Sequence, residues 1–343
     1  MIESGRYTSG RIAVANLAAS IDSFERRRGG AATFEDLMAL SKLLFLRGDL
    51  LGRIVDHDRA EQAALEALRL AQDGGSGIFI RARLAARFHR FEEAGALLDQ
   101  ALSAGYSRHE VTVERASLLQ ATGQYEAALF LRQGLAKGEP GIHTFGALAS
   151  LLAEMDQWPP AEARYAAALA ADGGASPLPA GQLLFEWGVS AMRRGDLDRA
   201  EEIFAELGRI LPQHVPGRGH RAEVALARGQ TDLALALIEP LPEIADDPEY
   251  RATYAEILEA RDDRELASGE TELAAAAYRQ LLARRPEAYA DHAAWFFMGI
   301  GNRPHLAVDL ATATWKLRDT PRSRALLEKA LQKAQQSALL GAA

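Results

Sequence analysis

The chain has 343 residues, of which 48% are hydrophobic and 25% charged; it carries a net charge of −8 and no cysteine. The acidic balance argues against a general nucleic-acid binder, which needs a basic footprint. The missing cysteines exclude disulfides, thiolate metal sites and cysteine nucleophiles.

Alanine, leucine, arginine and glutamate dominate, and Val, Ile and Thr are scarce, so the composition favours helix over sheet. The length suits two ordinary domains or one extended solenoid. Residues 1–10 read as an irregular segment with Gly5 and Gly10. Met1 to Val14 has no apolar core of signal-peptide length. The longest uncharged stretches, such as Gly141 to Ala153, fall short of the ~20 residues that span a bilayer. The expectation is a soluble, cytoplasmic protein without membrane insertion.

A first helix is predicted over Arg11 to Arg28, with Val14, Leu17, Ile21 and Phe24 on one stripe. Arg26, Arg27 and Arg28 followed by Gly29 and Gly30 suit its C-terminus, where cations and glycine are both favoured. Thr33 reads as the N-cap of a helix through Arg47, with Leu37, Leu40, Leu43 and Leu44 inward. A loop with Gly48 and Gly52 comes next, then a helix from about Asp58 to Ala71.

From here a period can be counted. Small residues recur at Ala60, Ala94, Ala128, Ala161, Ala200, Ala234, Ala274 and Ala307, with gaps of 34, 34, 33, 39, 34, 40 and 33. The gap of 39 contains Asp172 to Pro179, a loop insertion. The gap of 40 contains Glu259 to Ser268, which extends a helix or its turn. Twelve residues before each of the first six alanines stands another small residue: Gly48, Ala82, Ala116, Ala149, Gly188 and Ala222. Asp262 and Trp295 break that series. Ala255 takes over the inward position in the first case and Ala294 in the second. Prolines recur in the same phase at Pro140, Pro212 and Pro286.

The stretch Gly181 to Pro212 holds the pattern most completely. Leu184, Trp187, Gly188 and Ala191 share one helix face; Ala200, Ile203, Phe204 and Leu207 share the next, with Gly195 opening the turn between them. This spacing resembles the tetratricopeptide repeat, of the bacterial solenoid type. The resemblance implies an all-α fold, a right-handed α-α superhelix of helix-turn-helix repeats. The expected organisation is a leading segment and helix over 1–33, about eight repeats over 34–320, and a capping helix and tail over 321–343. Leu327, Ala330, Leu331, Ala334 and Ala338 give that last helix one apolar stripe, as the end of a stack requires.

No reaction motif stands out. There is no phosphate loop, no nucleophile elbow and no zinc HExxH. The eight histidines contain no i, i+4 pair of the kind a helical metal site uses. His214 and His220 alone do not close a metal site. Asp246-Asp247 and Asp262-Asp263 are neighbours that do not face each other, so they read as caps and turns. Gly74 to Gly77 reads as a flexible connector. No cofactor, metal or catalytic residue is expected.

What remains is the groove. In the family it resembles, the first helix of each pair lines the concave side, where ligands are held. Carried onto this sequence, those positions are Phe79, Arg83 and Arg87; Glu110, Glu114, Ser117 and Gln120; His143, Ser150 and Glu154; Gln182, Phe185, Glu186, Val189 and Arg193; and His220 and Glu223. Arg83 and Arg87 against the later glutamates predict a polarised groove that would orient its occupant. The repeats that clamp acidic chaperone tails use two groove asparagines. Here Asn16 and Asn302 are the only asparagines and neither is a groove position, which excludes that subtype.

The function expected from this is a non-catalytic scaffold that binds a peptide or helix of another protein, with homo-oligomerisation open and no enzyme activity. The alternative is a ligand- or peptide-gated sensor, with the long fifth and seventh segments as hinges. A weaker alternative is an enzyme on a repeat scaffold.

Overall fold

The computed structural model describes residues 5–30, 32–70 and 74–341. Among these residues there are nineteen helices and no strand. Helix α1 (Gly10–Arg28) leads. Then come α2 (Phe34–Leu51) and α3 (Ile54–Leu70), α4 (Gly75–Arg87) and α5 (Phe91–Ser103), α6 (Arg108–Ala121) and α7 (Tyr125–Gly138). The middle holds α8 (Ile142–Glu154) and α9 (Trp158–Ala170), α10 (Leu178–Arg194) and α11 (Leu197–Ile210), and α12 (Val215–Ala227) and α13 (Thr231–Ile238), with the single turn α14 (Leu241–Ile244). The chain ends in α15 (Pro248–Ala260) and α16 (Arg264–Arg284), α17 (Pro286–Met298) and α18 (Pro304–Leu317), and α19 (Pro321–Gly341). Consecutive helices pack as pairs: α2 on α3, α4 on α5, α8 on α9, α10 on α11, α12 on α13, α15 on α16, and α17 on α18.

The small-residue phase explains the pairing. All eight period alanines, from Ala60 to Ala307, are 0% exposed. Ala255 and Ala294 are also fully buried, whereas Trp295 is partly exposed, so both breaks in the series resolve as the phase required. At Gly188 a Cβ would stand 2.6 Å from the Phe204 ring. The glycine is what lets α10 and α11 close over that ring. Ala200→Leu adds three carbons to a contact with no spare volume. It should overpack α11 against α10 and cost about 1–3 kcal/mol, read as a lowered thermal midpoint. An unchanged midpoint would mean that this register is wrong.

Several expectations need correction. Gly48 lies inside α2, not in a loop, because the helix runs on until Gly52 caps it in the left-handed region at φ 60°. Its missing Cβ makes room for the His57 ring. Gly75 to Gly77 begin α4 rather than forming a connector. Residues 1–4 lie outside the described residues; Arg6 to Thr8 are irregular, as expected, but anchored. Tyr7 donates its hydroxyl to the buried Asp172 carboxylate at 2.8 Å, and the Thr8 amide donates to the Ala175 carbonyl at 2.8 Å. The insertion after α9 is therefore a seat for the N-terminal segment. The second insertion lengthens α16 to 21 residues.

The chain divides into two compact units, each built from two stretches distant in sequence. The first comprises Met1–Asp73 and Leu129–Asp247, the second Gly74–Ala128 and Pro248–Ala343. In the first unit, the Asp246 carboxylate accepts from the amides of Ile54 at 2.5 Å and Val55 at 3.0 Å, capping α3. The Gly52 carbonyl accepts from the amides of Asp246 and Asp247. A Cβ at Gly10 would lie 2.7 Å from the Ile210 carbonyl oxygen, so glycine lets α1 start against the end of α11.

The same unit holds a buried ionic cluster on α3. Asp56 is 0% exposed and takes both prongs of Arg47 at 2.7 Å. Arg59 adds a contact at 3.1 Å, and reaches Glu25 of α1 at 2.9 Å. In the second unit, the turn after α4 meets the start of α17. His89 Nδ1 lies 3.0 Å from the Glu287 carbonyl, and the Arg285 guanidinium lies 3.8 Å from the centre of the Phe88 ring. Gly123, at φ 81°, abuts the Asp319 carbonyl so closely that any Cβ would overlap it.

Candidate functional site: a polar seam on the first helices of the central repeats

Helices α8 and α10 pack side by side within the first unit. Gly146 permits this, because a Cβ there would lie 2.7 Å from Leu183. On α8, His143, Ser150 and Glu154 are seven and four residues apart and share one helix face. On α10, Gln182, Glu186, Val189 and Arg193 form the corresponding stripe. The sequence-derived positions of these two helices thus lie on adjacent elements.

Their chemistry centres on Glu186 and a residue that the sequence reading omitted, Arg132 of α7. The Gln182 amide donates to Glu186 Oε1 at 3.0 Å. Burial pushes the Glu186 carboxyl above its ordinary 4.5, and Glu154 pushes the same way; the Gln182 hydrogen bond, Arg132 and His143 oppose the rise. Arg132 is only 9% exposed, and its Nε has no hydrogen-bond partner. Burial draws its pKa down, against the pull of Glu186 and Glu154. Beside them Tyr165 of α9 is fully buried, its hydroxyl 3.0 Å from Ser190. Burial holds that phenol well above its ordinary range. Buried polar groups that are incompletely paired are costly, so this seam is a place in the unit where stability has been traded for polarity.

Phe185 extends the seam towards α12. Its ring centre lies 5.1 Å from that of His214 and 5.6 Å from that of His220. His220 Nδ1 stands 2.9 Å from the Glu223 carboxylate. His214 is buried and accepts a hydrogen bond on Nδ1 from the Gly217 amide at 3.0 Å, capping α12. Burial lowers its pKa to about 4.

Other predicted positions do not line an open groove. Phe79 is buried and stacks on Tyr106, ring centres 4.4 Å apart, so it is core, not an anchor. Gln120 and Val189 are buried as well. Arg83 pairs with Glu114 at 2.8 Å. That contact cancels the charge gradient expected between the arginines and the following glutamates. Tyr106 is pushed up to about 12, chiefly by burial and by its hydrogen bond to Glu110. Arg87, Glu110 and Ser117 are exposed, as are His143, Glu154, Gln182 and Arg193.

Arg132 was missed because only first helices were searched. The signal was nonetheless present: Ala128, Arg132 and Ala136 repeat at i, i+4 and i+8, and all three are buried. A lone cation on an inward alanine stripe marks a buried charge.

The Glu186 shift makes a testable claim. A carboxyl whose folded pKa is raised contributes stability that is complete below its unfolded value and is lost as pH rises through the folded value. The wild type should therefore lose stability as pH rises above about 4.5. Glu186→Gln should flatten that part of the profile, as read by urea unfolding at a series of pH values. An identical slope in the variant would refute the assignment.

Residues 191–257, from the end of α10 into α15, match the tetratricopeptide repeat family model. Over those residues the chain is similar to the tetratricopeptide repeat. Among solved structures, the chain is similar to a tetratricopeptide repeat protein from Parabacteroides merdae at 21% identity, over 71% of this chain and 92% of that one, with a TM-score of 0.46. It is similar to PilW, a type IV pilus biogenesis factor, at 18% identity over 62% and 94%, with a TM-score of 0.45. Similarity to the Cut9-Hcn1 hetero-tetramer of the APC/C spans 92% of this chain and 59% of that one at 13% identity, with a TM-score of 0.51. That last likeness shows the shared helical-repeat fold. Nothing among curated proteins matches the sequence. Among the described residues, no helix is long and apolar enough to cross a membrane.

Proposed function

We propose that this tetratricopeptide-repeat chain is a non-catalytic scaffold that holds a segment of another protein along the α8–α10–α12 face. The observation that carries the reading is the seam itself. A mostly buried arginine with an unpaired Nε on the second helix α7 stands with an elevated glutamate and exposed His143, Glu154 and Gln182 on the neighbouring first helices α8 and α10. Preorganised polar groups beside a half-buried aromatic such as Phe185 are what a bound peptide needs for orientation and grip. The tetratricopeptide repeat match over residues 191–257 supports a protein or peptide partner.

The test is site-specific photocrosslinking in cells, with a photoreactive residue at position 143, 182 or 202. Glu202 is exposed on the second helix α11. Positions 143 and 182 should give the same protein adduct and position 202 should not. Arg132→Met should reduce the adducts while the fold, followed by circular dichroism, persists. Equal adducts at all three positions, or none at 143 and 182, would sink the reading.

The sensor alternative draws less support. Its two hinge segments are occupied: Asp172 to Ala175 bind Arg6 to Thr8, and Arg264 to Ser268 are helical.

A further inference from the structure

We infer that the second unit carries two complementary faces, an acidic one on α16 and a basic one on α19, through which one copy of this chain docks on a second. The argument begins with an unusually long helix. The 21 residues of α16 bury Ala267, Ala274, Tyr278 and Leu281 on one side. The opposite side repeats every seven residues: Glu265-Leu266 recurs as Glu272-Leu273, and Gly269, four residues after Glu265, recurs as Ala276. Leu266 and Leu273 are 55% and 53% exposed, although both are large and apolar. A Cβ on Gly269 would meet nothing, so the face is open. Between 259 and 272 there are six carboxylates against two arginines.

Helix α19 is the counterpart. It buries Ser323, Leu326, Ala330 and Ala334. Along one border of that face stand Arg322, Lys329 and Lys333, spaced seven and four residues apart. Over residues 321–341 four cations face a single carboxylate, in a chain whose net charge is −8. Lys329 and Lys333 make no ion pair among the described residues; Lys329 instead lies 5.0 Å from the ring centre of Trp295, itself 37% exposed. The basic border therefore has an apolar floor for a leucine.

The two faces match in length as well as sign. Arg322 to Lys329 and Glu265 to Glu272 are each seven residues, about 10 Å along a helix. A second copy supplies both the acid-and-leucine ridge and the base-and-tryptophan shelf. A polyanionic nucleic acid fits less well, because three cations neutralise few phosphates and the rest of the chain repels it.

Sedimentation of the full chain over a concentration series tests this. The wild type should associate, and rising salt should weaken the association. Lys329→Glu with Lys333→Glu, and separately Glu265→Lys with Glu272→Lys, should each weaken it about tenfold or more, at unchanged helicity. An equimolar mixture of the two charge-reversed chains should associate again, since each then offers the face the other lacks. A monomeric wild type at every concentration, association indifferent to both reversals, or a mixture that stays dispersed would each overturn the inference.

Discussion

Asp56→Ala should destabilise the first unit by about 3–5 kcal/mol, the range for removing one partner from a buried ionic cluster. The carboxylate is fully buried and takes the Arg47 fork along with Arg59, while Arg53 lies 3.4 Å away. Without it, three guanidiniums converge on a vacated, poorly hydrated spot and cannot shed their charge. Asp56→Asn should recover only part of the loss, because it restores acceptor geometry at one oxygen and no charge. The measurement is urea unfolding followed by tryptophan fluorescence. Trp158 and Trp187 belong to the first unit, Trp295 and Trp315 to the second. With Trp295→Phe and Trp315→Phe as background, the signal reports the first unit alone. A loss below about 1 kcal/mol would place the cluster with ordinary surface pairs.

The second large effect concerns acid. His214 is buried beside Phe185, and its pKa falls from 6.5 to about 4. A group whose folded pKa is depressed contributes stability that is present above the unfolded pKa and lost as pH falls through the folded one. Between pH 6.5 and 4 the first unit should therefore lose about 3 kcal/mol from this residue alone. Protonation also removes the Nδ1 lone pair that accepts from Gly217, so the start of α12 loses its cap at the same time. His214→Asn keeps a capping acceptor and does not titrate. In the same tryptophan background it should be less stable near neutrality, because Phe185 loses a stacked neighbour. It should also show a shallower decline towards pH 4. A decline as steep as the parent's would assign the acid lability elsewhere. His89 is drawn to about 4 as well, chiefly by burial, but it sits in the second unit and would not enter this signal.

The sequence carried the repeat and little of what binds distant repeats together. Ala200 and Gly188 were legible because helix pairing is a local problem: a small residue every 34 positions, beside a ring such as Phe204, leaves one solution. Ala255 and Ala294 were legible for the same reason, even where the series slipped. Asp246 was readable as a cap but not as the cap of α3, almost two hundred residues earlier. Periodicity says nothing about which turn meets which across that separation. Tyr7 was invisible in the same way, since its partner Asp172 lies in a loop with no period. At the seam, the first-helix rule found His143, Glu154, Gln182 and Glu186, yet it passed over Arg132 because that residue lies on a second helix. The rule also offered Phe79, whose burial against Tyr106 follows from a loop residue outside the repeat phase.

The Asp246 cap has a consequence for synthesis. Repeat arrays ordinarily fold by nucleating anywhere and propagating to the next neighbour. Here α3 leaves the ribosome without the residue that closes its first turn, and at 5–20 residues per second that residue follows roughly 10–40 s later. Throughout that interval Leu17, Ile21, Leu40 and Leu44, which end in the same core as Leu207 and Leu211, have no distant half to cover them. The second pair and α6, which belong to the other unit, emerge in between. The nascent chain thus holds its opening helices in waiting, and a nascent-chain chaperone has its longest window of access there.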